Sequence, residues 1–334
     1  MQPRLLPLKN KSILVAGGAG FIGSHLVDAL IGEQPRNLVI IDYIFKGQSN
    51  PDNLKEARRN FPSLKLYTTN LTDYNQTKKV LLKEKPEVVF DLATIPLPTS
   101  LIKPYWTSET MLKIILNLCE LCRKGLFKTL IHLSSSEACG TAQYVPMDET
   151  HPLTVRTPYA ACKAAGDLLV RSYYYTFGLD TAIVRPYNNY GPRQPIIGSY
   201  AAIIPRVIHR ILHNQRPIIF GDGKQTRDYI YVKDTVKGII AVYKNKTTRG
   251  KIINIARGQE ISMNNLVRTI SEIMEFKQKP IYKKSRVADV RRHFADTRLA
   301  RQLLGFQAKI EIRQGLEETI AWYSKRKANL GNED

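Results

Sequence analysis

The chain has 334 residues, enough for one large core and a smaller lobe, and 43% of them are hydrophobic. No apolar run approaches the roughly 18 residues that a membrane span needs. The segment Met1–Lys11 lacks the continuous apolar core of a secretory signal. We therefore expect a cytoplasmic protein with no membrane partner.

The formal net charge of +21 is unusually high. Nucleic-acid phosphates bind basic surfaces, but a basic proteome or a site for anionic nucleotides would also raise the charge. The lysines and arginines are spread along the chain, without an aromatic-interleaved basic motif or a basic tail. We therefore expect no nucleic-acid partner.

The 4 cysteines do not have the spacing of a metal site. Cys119 and Cys122 fall in a predicted helix, and no matching pair or histidine cluster occurs elsewhere in the sequence. This pattern favours buried free thiols in a reducing compartment, and we expect no bound metal.

The first predicted element is a buried parallel strand, Ile13–Ala16, which leads into a glycine-rich turn. Gly17 permits a tight exit from the strand, and Gly20 lets backbone N–H groups approach a pyrophosphate. Gly23 lets the next helix, Phe21–Leu30, pack close to the sheet with its positive end towards the phosphates. This spacing between a strand and a helix predicts a dinucleotide site.

The second predicted strand, Leu38–Asp42, ends in a carboxylate about 20 residues after the glycine turn. A carboxylate at this position accepts hydrogen bonds from the ribose hydroxyls of NAD and repels the extra phosphate of NADP. We therefore predict NAD as the cofactor, with Asp42 determining that choice.

Strands and helices alternate up to residue 185. The further predicted strands are Leu64–Tyr67, Glu87–Asp91, Lys128–Leu133 and Thr181–Arg185, and the helices are Asp73–Lys85, Leu112–Lys124 and Tyr159–Phe177. The alternation predicts an α/β fold with a doubly wound parallel (Rossmann) sheet and right-handed crossovers. Residues near the strand ends are predicted cofactor contacts: Phe21, Ile22, Asn70, Leu71 and Ala93.

After Arg185 the pattern loosens into a segment rich in proline, glycine and asparagine, which suggests a smaller, discontinuous C-terminal substrate lobe. The elements predicted there are a helix at about Ala201–His213, a strand Ile252–Ile255 that returns to the sheet, a short strand Pro280–Tyr282, and mostly helix over Ser262–Lys325. We predict an NAD-binding domain of residues 1–185 plus about 226–258, and a substrate lobe of about 186–225 plus 259–334.

Tyr159 and Lys163 lie one turn apart on one face of a predicted helix. A nearby cation stabilises a phenolate, so we expect Lys163 to lower the pKa of Tyr159. Tyr159 could then accept a hydroxyl proton while a hydride leaves the same carbon for NAD. Ser135, at the end of the fifth strand, is the predicted third member, although ordinary turn chemistry would also explain the run of serines.

With these residues in place, the chain resembles the nucleotide-sugar epimerases and dehydratases of the extended short-chain dehydrogenase/reductase family. The motifs that carry the resemblance are GGAGFIGSHL at 17–26, SSSE at 134–137, Tyr159 with Lys163, RPYNNYGPRQ at 185–194, TRDYIYVKD at 226–234 and DVRRHFAD at 289–296. The resemblance implies tightly held NAD, a nucleotide-diphosphate sugar as substrate, and a homodimer formed through the helices around Leu112 and Tyr159.

The same resemblance implies substrate-binding roles for Asn188, Arg193, Arg227 and Arg291, and guanidinium groups suit bidentate phosphate recognition. Ordinary salt bridges are the alternative for the arginines. The chain departs from the usual family pattern at Asn70, Cys162, Met111 and Cys139. These departures make it unsafe to transfer a substrate from any one member of the family.

Members of this family begin by oxidising a sugar hydroxyl, normally at carbon 4. A 4-epimerase then needs only Ser135, Tyr159 and Lys163, whereas a 4,6-dehydratase also needs a base for the carbon-5 proton. Glu137 matches the position of that base, and Ser136 stands where many dehydratases place an aspartic acid. We therefore favour a 4,6-dehydratase over a 4-epimerase.

Other functions remain open at this point. Sugar decarboxylation is less favoured, and Glu137 as a structural acid that caps a turn is the alternative to its catalytic role. A redox-sensing or RNA-binding protein on this fold is the hypothesis from another class, but such proteins typically lose the tyrosine–lysine pair that this chain keeps.

Overall fold

The computed structural model describes residues 5–44, 49–196, 202–285 and 290–326. The strands are β1 (Ser12–Ala16), β2 (Asn37–Ile41), β3 (Lys65–Tyr67), β4 (Val88–Asp91), β5 (Thr129–Leu133), β6 (Asp180–Pro186), β7 (Asn188–Tyr190), β8 (Ile218–Phe220), β9 (Thr226–Tyr231), β10 (Ile252–Ile255), β11 (Glu260–Ser262) and β12 (Ile281–Lys283). The helices are α1 (Phe21–Gly32), α2 (Lys55–Asn60), α3 (Tyr74–Glu84), α4 (Leu97–Ile102), α5 (Pro104–Arg123), α6 (Pro158–Phe177), α7 (Ile203–Leu212), α8 (Val232–Lys244), α9 (Met263–Ile273), α10 (Arg298–Leu304) and α11 (Ile312–Ser324).

Seven strands form one parallel sheet in the order β10-β6-β5-β4-β1-β2-β3. Its strands are almost wholly apolar because helices cover both faces. Ile13 and Val15 of β1 point into a core shared with α1 and α8, whereas Leu14 and Ala16 point into a core shared with α3, α5 and α6. The predicted doubly wound parallel sheet is confirmed.

A third core lies among α7, α9, α11 and the short strands β8 and β9. Here β9 pairs parallel with β7 and antiparallel with β11, and β12 pairs with β8. The helix expected from Ala201 is α7, although Ala201 itself lies outside the described residues, and the short strand expected at Pro280–Tyr282 is β12.

Over Ser262–Lys325 the expected helices are α9, α10 and α11, and the described residues between α9 and α10 form the expected β12 and irregular segments. The sequence did not reveal β7, β8 and β11, because strands of three residues are too short to show an alternating pattern. The division of the chain into two domains stays a prediction. In the structure β9 joins the small sheet, while α8 and β10 pack with the large one.

Candidate active site

A cavity of about 750 Å³ lies at the carboxyl edge of the large sheet, where the ends of its parallel strands meet. Its wall contains every residue predicted to contact the cofactor: Gly17, Gly20, Phe21, Ile22, Gly23, Asp42, Asn70, Leu71, Ala93, Tyr159 and Lys163. It also contains Ser135, Ser136 and Glu137, together with Asn188 from the second lobe. The structure therefore brings the predicted cofactor and catalytic residues to one site.

The glycine turn leaves no room for side chains. A Cβ atom on Gly23 would lie 2.1 Å from the Gly17 carbonyl oxygen, and Gly17 itself has a φ of +75°. Gly20 begins α1, and no described side chain caps that end of the helix. Backbone N–H groups and the positive end of α1 therefore face the cavity, where they suit a pyrophosphate.

Asp42 lies at the end of β2 and is 7% exposed. Its Oδ2 accepts a hydrogen bond from the Ala19 N–H at 2.9 Å, and its Oδ1 accepts one from the Ile44 N–H at 3.0 Å. Each oxygen retains a lone pair for a further donor. The carboxylate is thus fixed by the backbone in a position that fits the hydroxyls of an adenosine ribose.

Tyr159 and Lys163 lie in the first turns of α6, which begins at Pro158 and is capped by Thr157. Lys163 is almost fully buried, and its Nζ donates to the Leu133 carbonyl oxygen at 2.8 Å. The same Nζ lies 6.0 Å from the centre of the Tyr159 ring. The end of β5 therefore orients the lysine beneath the tyrosine.

Burial raises the pKa of Tyr159 to about 12, opposed by hydrogen bonding with Ser135 and Thr94 and reinforced by the charge of Glu137. The expected lowering of this pKa by Lys163 is wrong as a net effect, because the cost of burial prevails. Burial also lowers the pKa of Lys163, although the charges of Asp91 and Asp167 act in the opposite direction.

Glu137 follows β5 in a short turn, Ser136–Cys139, that Ser135 caps by accepting from the Glu137 N–H at 3.2 Å. The side chain of Glu137 is 20% exposed, and its Oε1 lies 3.9 Å from Nδ1 of His293. Sequence reasoning did not single out His293, although it lies within the motif DVRRHFAD. The signal in the sequence that could have identified His293 was its position inside this family motif.

The predicted substrate residues are not brought together in the same way. Asn188 lines the cavity and donates from Nδ2 to the Asp228 carbonyl oxygen at 3.3 Å. Arg193, Arg227 and Arg291 are not part of the cavity wall. Arg193 pairs with Asp28 at 2.7 Å and Arg291 pairs with Asp222 at 2.9 Å, while Arg227 donates to the Thr226 carbonyl oxygen.

The four described ranges contain no group of three or more His, Cys, Asp or Glu side chains that could hold a metal ion. None of their helices combines the length and the apolar character needed to cross a membrane.

Comparison with known proteins gives a consistent family. The family model described as GDP-mannose 4,6 dehydratase matches residues 14–319. The putative UDP-glucose 4-epimerase of Methanocaldococcus jannaschii is 34% identical over 93% of this chain and 97% of its own length. A dTDP-glucose 4,6-dehydratase of Streptomyces griseus is 30% identical over 95% of each protein.

The solved structures point to the same family. A dTDP-glucose 4,6-dehydratase of Streptomyces venezuelae, solved with NAD bound, has a TM-score of 0.87 and 25% identity. That match covers 95% of this chain and 98% of the other. The likeness extends over both lobes rather than over the large sheet alone.

Proposed function

The chain belongs to the nucleotide-sugar epimerases and dehydratases of the extended short-chain dehydrogenase/reductase family, and we propose that it is a nucleotide-sugar 4,6-dehydratase. NAD is its cofactor, as the sequence predicted. The glycine turn would hold the pyrophosphate and Asp42 the ribose, and the remaining predicted contacts would surround the rest of the molecule.

The proposal rests on one observation, the position of Glu137. Its carboxyl lies on the wall of the same cavity as Tyr159, close enough for its charge to raise the pKa of that phenol. A 4-epimerase needs no carboxylate base beside Tyr159. A 4,6-dehydratase requires a base there, because the carbon-5 proton must leave.

When bound, NAD would accept the hydride from carbon 4, and its reduced form would later return that hydride to carbon 6. Tyr159 takes the proton of the carbon-4 hydroxyl, and Ser135 hydrogen-bonds the same oxygen. Lys163, fixed on the Leu133 carbonyl, would place its positive charge beside Tyr159 and stabilise the phenolate form that takes this proton. The new ketone makes the carbon-5 proton acidic, and Glu137 takes it as the carbon-6 hydroxyl departs.

We assign the nucleotide diphosphate to the mouth of this cavity, with Asn188 in contact and Arg193, Arg227 and Arg291 as candidates for the phosphates. Guanidinium groups bind phosphate oxygens bidentately. The pairs of Arg193 with Asp28 and of Arg291 with Asp222 would then be exchanged for substrate contacts.

A 4-epimerase is the second candidate, because Ser136 stands where many dehydratases carry their acid. Its side chain has no carboxyl to protonate the leaving hydroxyl. An epimerase would use Ser135, Tyr159 and Lys163 as described above and would leave Glu137 without a chemical step.

We also propose a homodimer, supported by the outer faces of α5 and α6. These helices leave large apolar side chains exposed, namely Tyr105, Leu116, Leu168, Tyr175 and Phe177. A second copy that covers them would bury an apolar surface of the kind that dimer interfaces use. Light scattering should give twice the mass of one chain, and a monomer at micromolar concentration would overturn the proposal.

The product tests the main proposal. The protein is incubated with UDP-, dTDP-, GDP- and CDP-sugars, and a dehydratase should yield a 4-keto-6-deoxy sugar lighter by one water. In deuterated water, deuterium should appear on carbon 5 of the product. A product of unchanged mass without deuterium at carbon 5 would establish the epimerase instead.

Glu137→Gln keeps the size of the side chain but cannot take a proton at neutral pH. The variant should still reduce bound NAD with substrate, seen as absorbance near 340 nm, yet form little dehydrated product. Glu56→Gln changes an exposed glutamate on α2 and serves as the control. Wild-type turnover by Glu137→Gln would exclude Glu137 as the base.

A further inference from the structure

We propose that His293 is a positioning residue for Glu137. After the Glu137 carboxyl has taken the carbon-5 proton, its O–H donates a hydrogen bond to the neutral Nδ1 of His293. This inference rests on the proposed dehydratase function.

The tautomer of His293 follows from its one hydrogen bond. Nε2 lies 2.7 Å from the Gly140 carbonyl oxygen, which can only accept, so Nε2 carries the hydrogen. Nδ1 of a neutral ring then presents a lone pair. It is buried and forms no hydrogen bond with any described residue, and the Glu137 carboxyl lies 3.9 Å away.

The surroundings keep the ring neutral. Burial, followed by the positive charge of Arg227, lowers the pKa of His293 to about 3, and His151 acts in the same direction. The Tyr187 ring lies edge-on at 6.2 Å between ring centres. The groups that face the pair are therefore Arg227, His151 and Tyr187 around His293, and Tyr159 near Glu137.

One short turn fixes both partners. Glu137 lies in this turn and Gly140 ends it, and the Gly140 N–H donates to the Glu137 carbonyl oxygen at 2.9 Å. Gly140 has a φ of +67°, and a Cβ atom there would lie 2.0 Å from the Thr154 carbonyl oxygen. The backbone that orients His293 is thus the backbone that carries Glu137.

Whether His293 attracts or repels Glu137 depends on whether the Glu137 carboxyl is protonated. A carboxylate oxygen and the Nδ1 lone pair repel each other, whereas a carboxylic acid donates to Nδ1. A small rotation of the Glu137 side chain shortens the 3.9 Å separation to a hydrogen bond. His293 therefore stabilises Glu137 in the protonated state that the elimination creates.

This arrangement lets one carboxyl serve two steps in a site that has Ser136 in place of an acid. The carbon-5–hydrogen bond breaks, its proton goes to Glu137, and its electron pair forms the carbon-5–carbon-6 double bond. The carbon-6–oxygen bond breaks, and Glu137 gives the proton to the departing hydroxyl. One water leaves, and Glu137 returns to the carboxylate.

Two substitutions separate this role from a structural one. His293→Gln places an amide N–H where Nε2 was, so it keeps the bond to Gly140 and removes the Nδ1 acceptor. His293→Asn places an acceptor oxygen near Nδ1 and loses the bond to Gly140. His209→Gln replaces an equally buried histidine on α7, outside the cavity wall, and is the matched control.

We expect His293→Gln to slow water loss by on the order of tenfold, the factor carried by one hydrogen bond. Reduction of bound NAD, which reports carbon-4 oxidation and a folded site, should be unchanged. The rate of water loss should fall less in His293→Asn than in His293→Gln. Without the Nδ1 acceptor, the protonated form of Glu137 loses a stabilising hydrogen bond, so the pKa of Glu137 should fall. The acidic limb of the pH profile for water loss should therefore move to lower pH in His293→Gln.

The inference is overturned if the wild type dehydrates its substrate and His293→Gln matches it in both rate and pH profile. A greater loss in His293→Asn than in His293→Gln would likewise assign His293 to holding Gly140 alone. If the wild type forms no dehydrated product from any sugar, the proposed function itself fails, and this inference with it.

Discussion

The cavity has a cofactor end, at the glycine turn and Asp42, and a proposed sugar end, and the side chains of the two ends are held in place differently. At the cofactor end, the glycine turn and Asp42 are already in place, held by backbone contacts within the large sheet. At the sugar end, the arginines come from the second lobe, and Arg193 and Arg291 are paired with carboxylates away from the cavity wall. The cofactor end is therefore preformed, whereas the proposed sugar end would have to exchange these ion pairs for contacts with the substrate.

The difference has a physical origin in how each end is assembled. Parallel strands end at the same edge, so side chains that follow them converge without help from distant parts of the chain. Arginines on the second lobe depend on the packing of that lobe and on competing carboxylates. Substitutions at the first end should change chemistry and cofactor choice, and those at the second should change the KM.

The largest effect is expected at Tyr159, where both ends meet. Tyr159→Phe keeps the ring in its packing but cannot accept the hydroxyl proton, and such general-base steps are worth about 10²–10⁴-fold. We expect kcat to fall by that factor while NAD still binds, as measured by steady-state turnover and by the quenching of tryptophan fluorescence on titration with NAD.

The pH dependence of the same residue provides the check. Because burial raises the pKa of Tyr159 to about 12, the phenol is protonated at neutral pH. The rate of NAD reduction should therefore rise with pH, since deprotonation creates the base, and the rise should be absent in Tyr159→Phe. Near-normal turnover in the variant would mean that another group takes the proton.

A smaller effect is expected at Asp42. Asp42→Ser removes a charged acceptor for the ribose hydroxyls and relieves repulsion of the NADP phosphate. Hydrogen bonds to charged groups are worth about 1.5–3 kcal/mol, so NAD binding should weaken by roughly tenfold or more. Calorimetric titration of both cofactors measures the change. Tighter binding of NADP than of NAD by the wild type would contradict this role.

The smallest effect is expected at the sugar end. Arg291→Gln should raise the KM by several-fold with little change in kcat, because exposed charge pairs are worth about 0–1 kcal/mol. Asp222→Asn, which removes the negative charge paired with Arg291, should leave the KM unchanged or lower it. Equal KM values in all three proteins would leave the Arg291–Asp222 pair as a surface salt bridge and would remove Arg291 from the phosphate site.

The sequence by itself determined the large sheet and the cofactor end of the site. The buried strands Ile13–Ala16 and Lys128–Leu133 were visible because parallel strands covered on both faces are continuous apolar runs. The glycine turn, Asp42 and the Tyr159–Lys163 pair were visible because each depends on short spacings along the chain. The cavity confirms that these segments converge at one edge of the sheet.

Only the tertiary structure decided what distant segments do to one another. The three-residue strands of the second lobe take their conformation from their partners rather than from their own pattern. Burial, a property of the whole fold, raises the pKa of Tyr159 despite the nearby Lys163. The approach of His293 to Glu137 joins two segments far apart in the chain, and no spacing in the sequence encodes it.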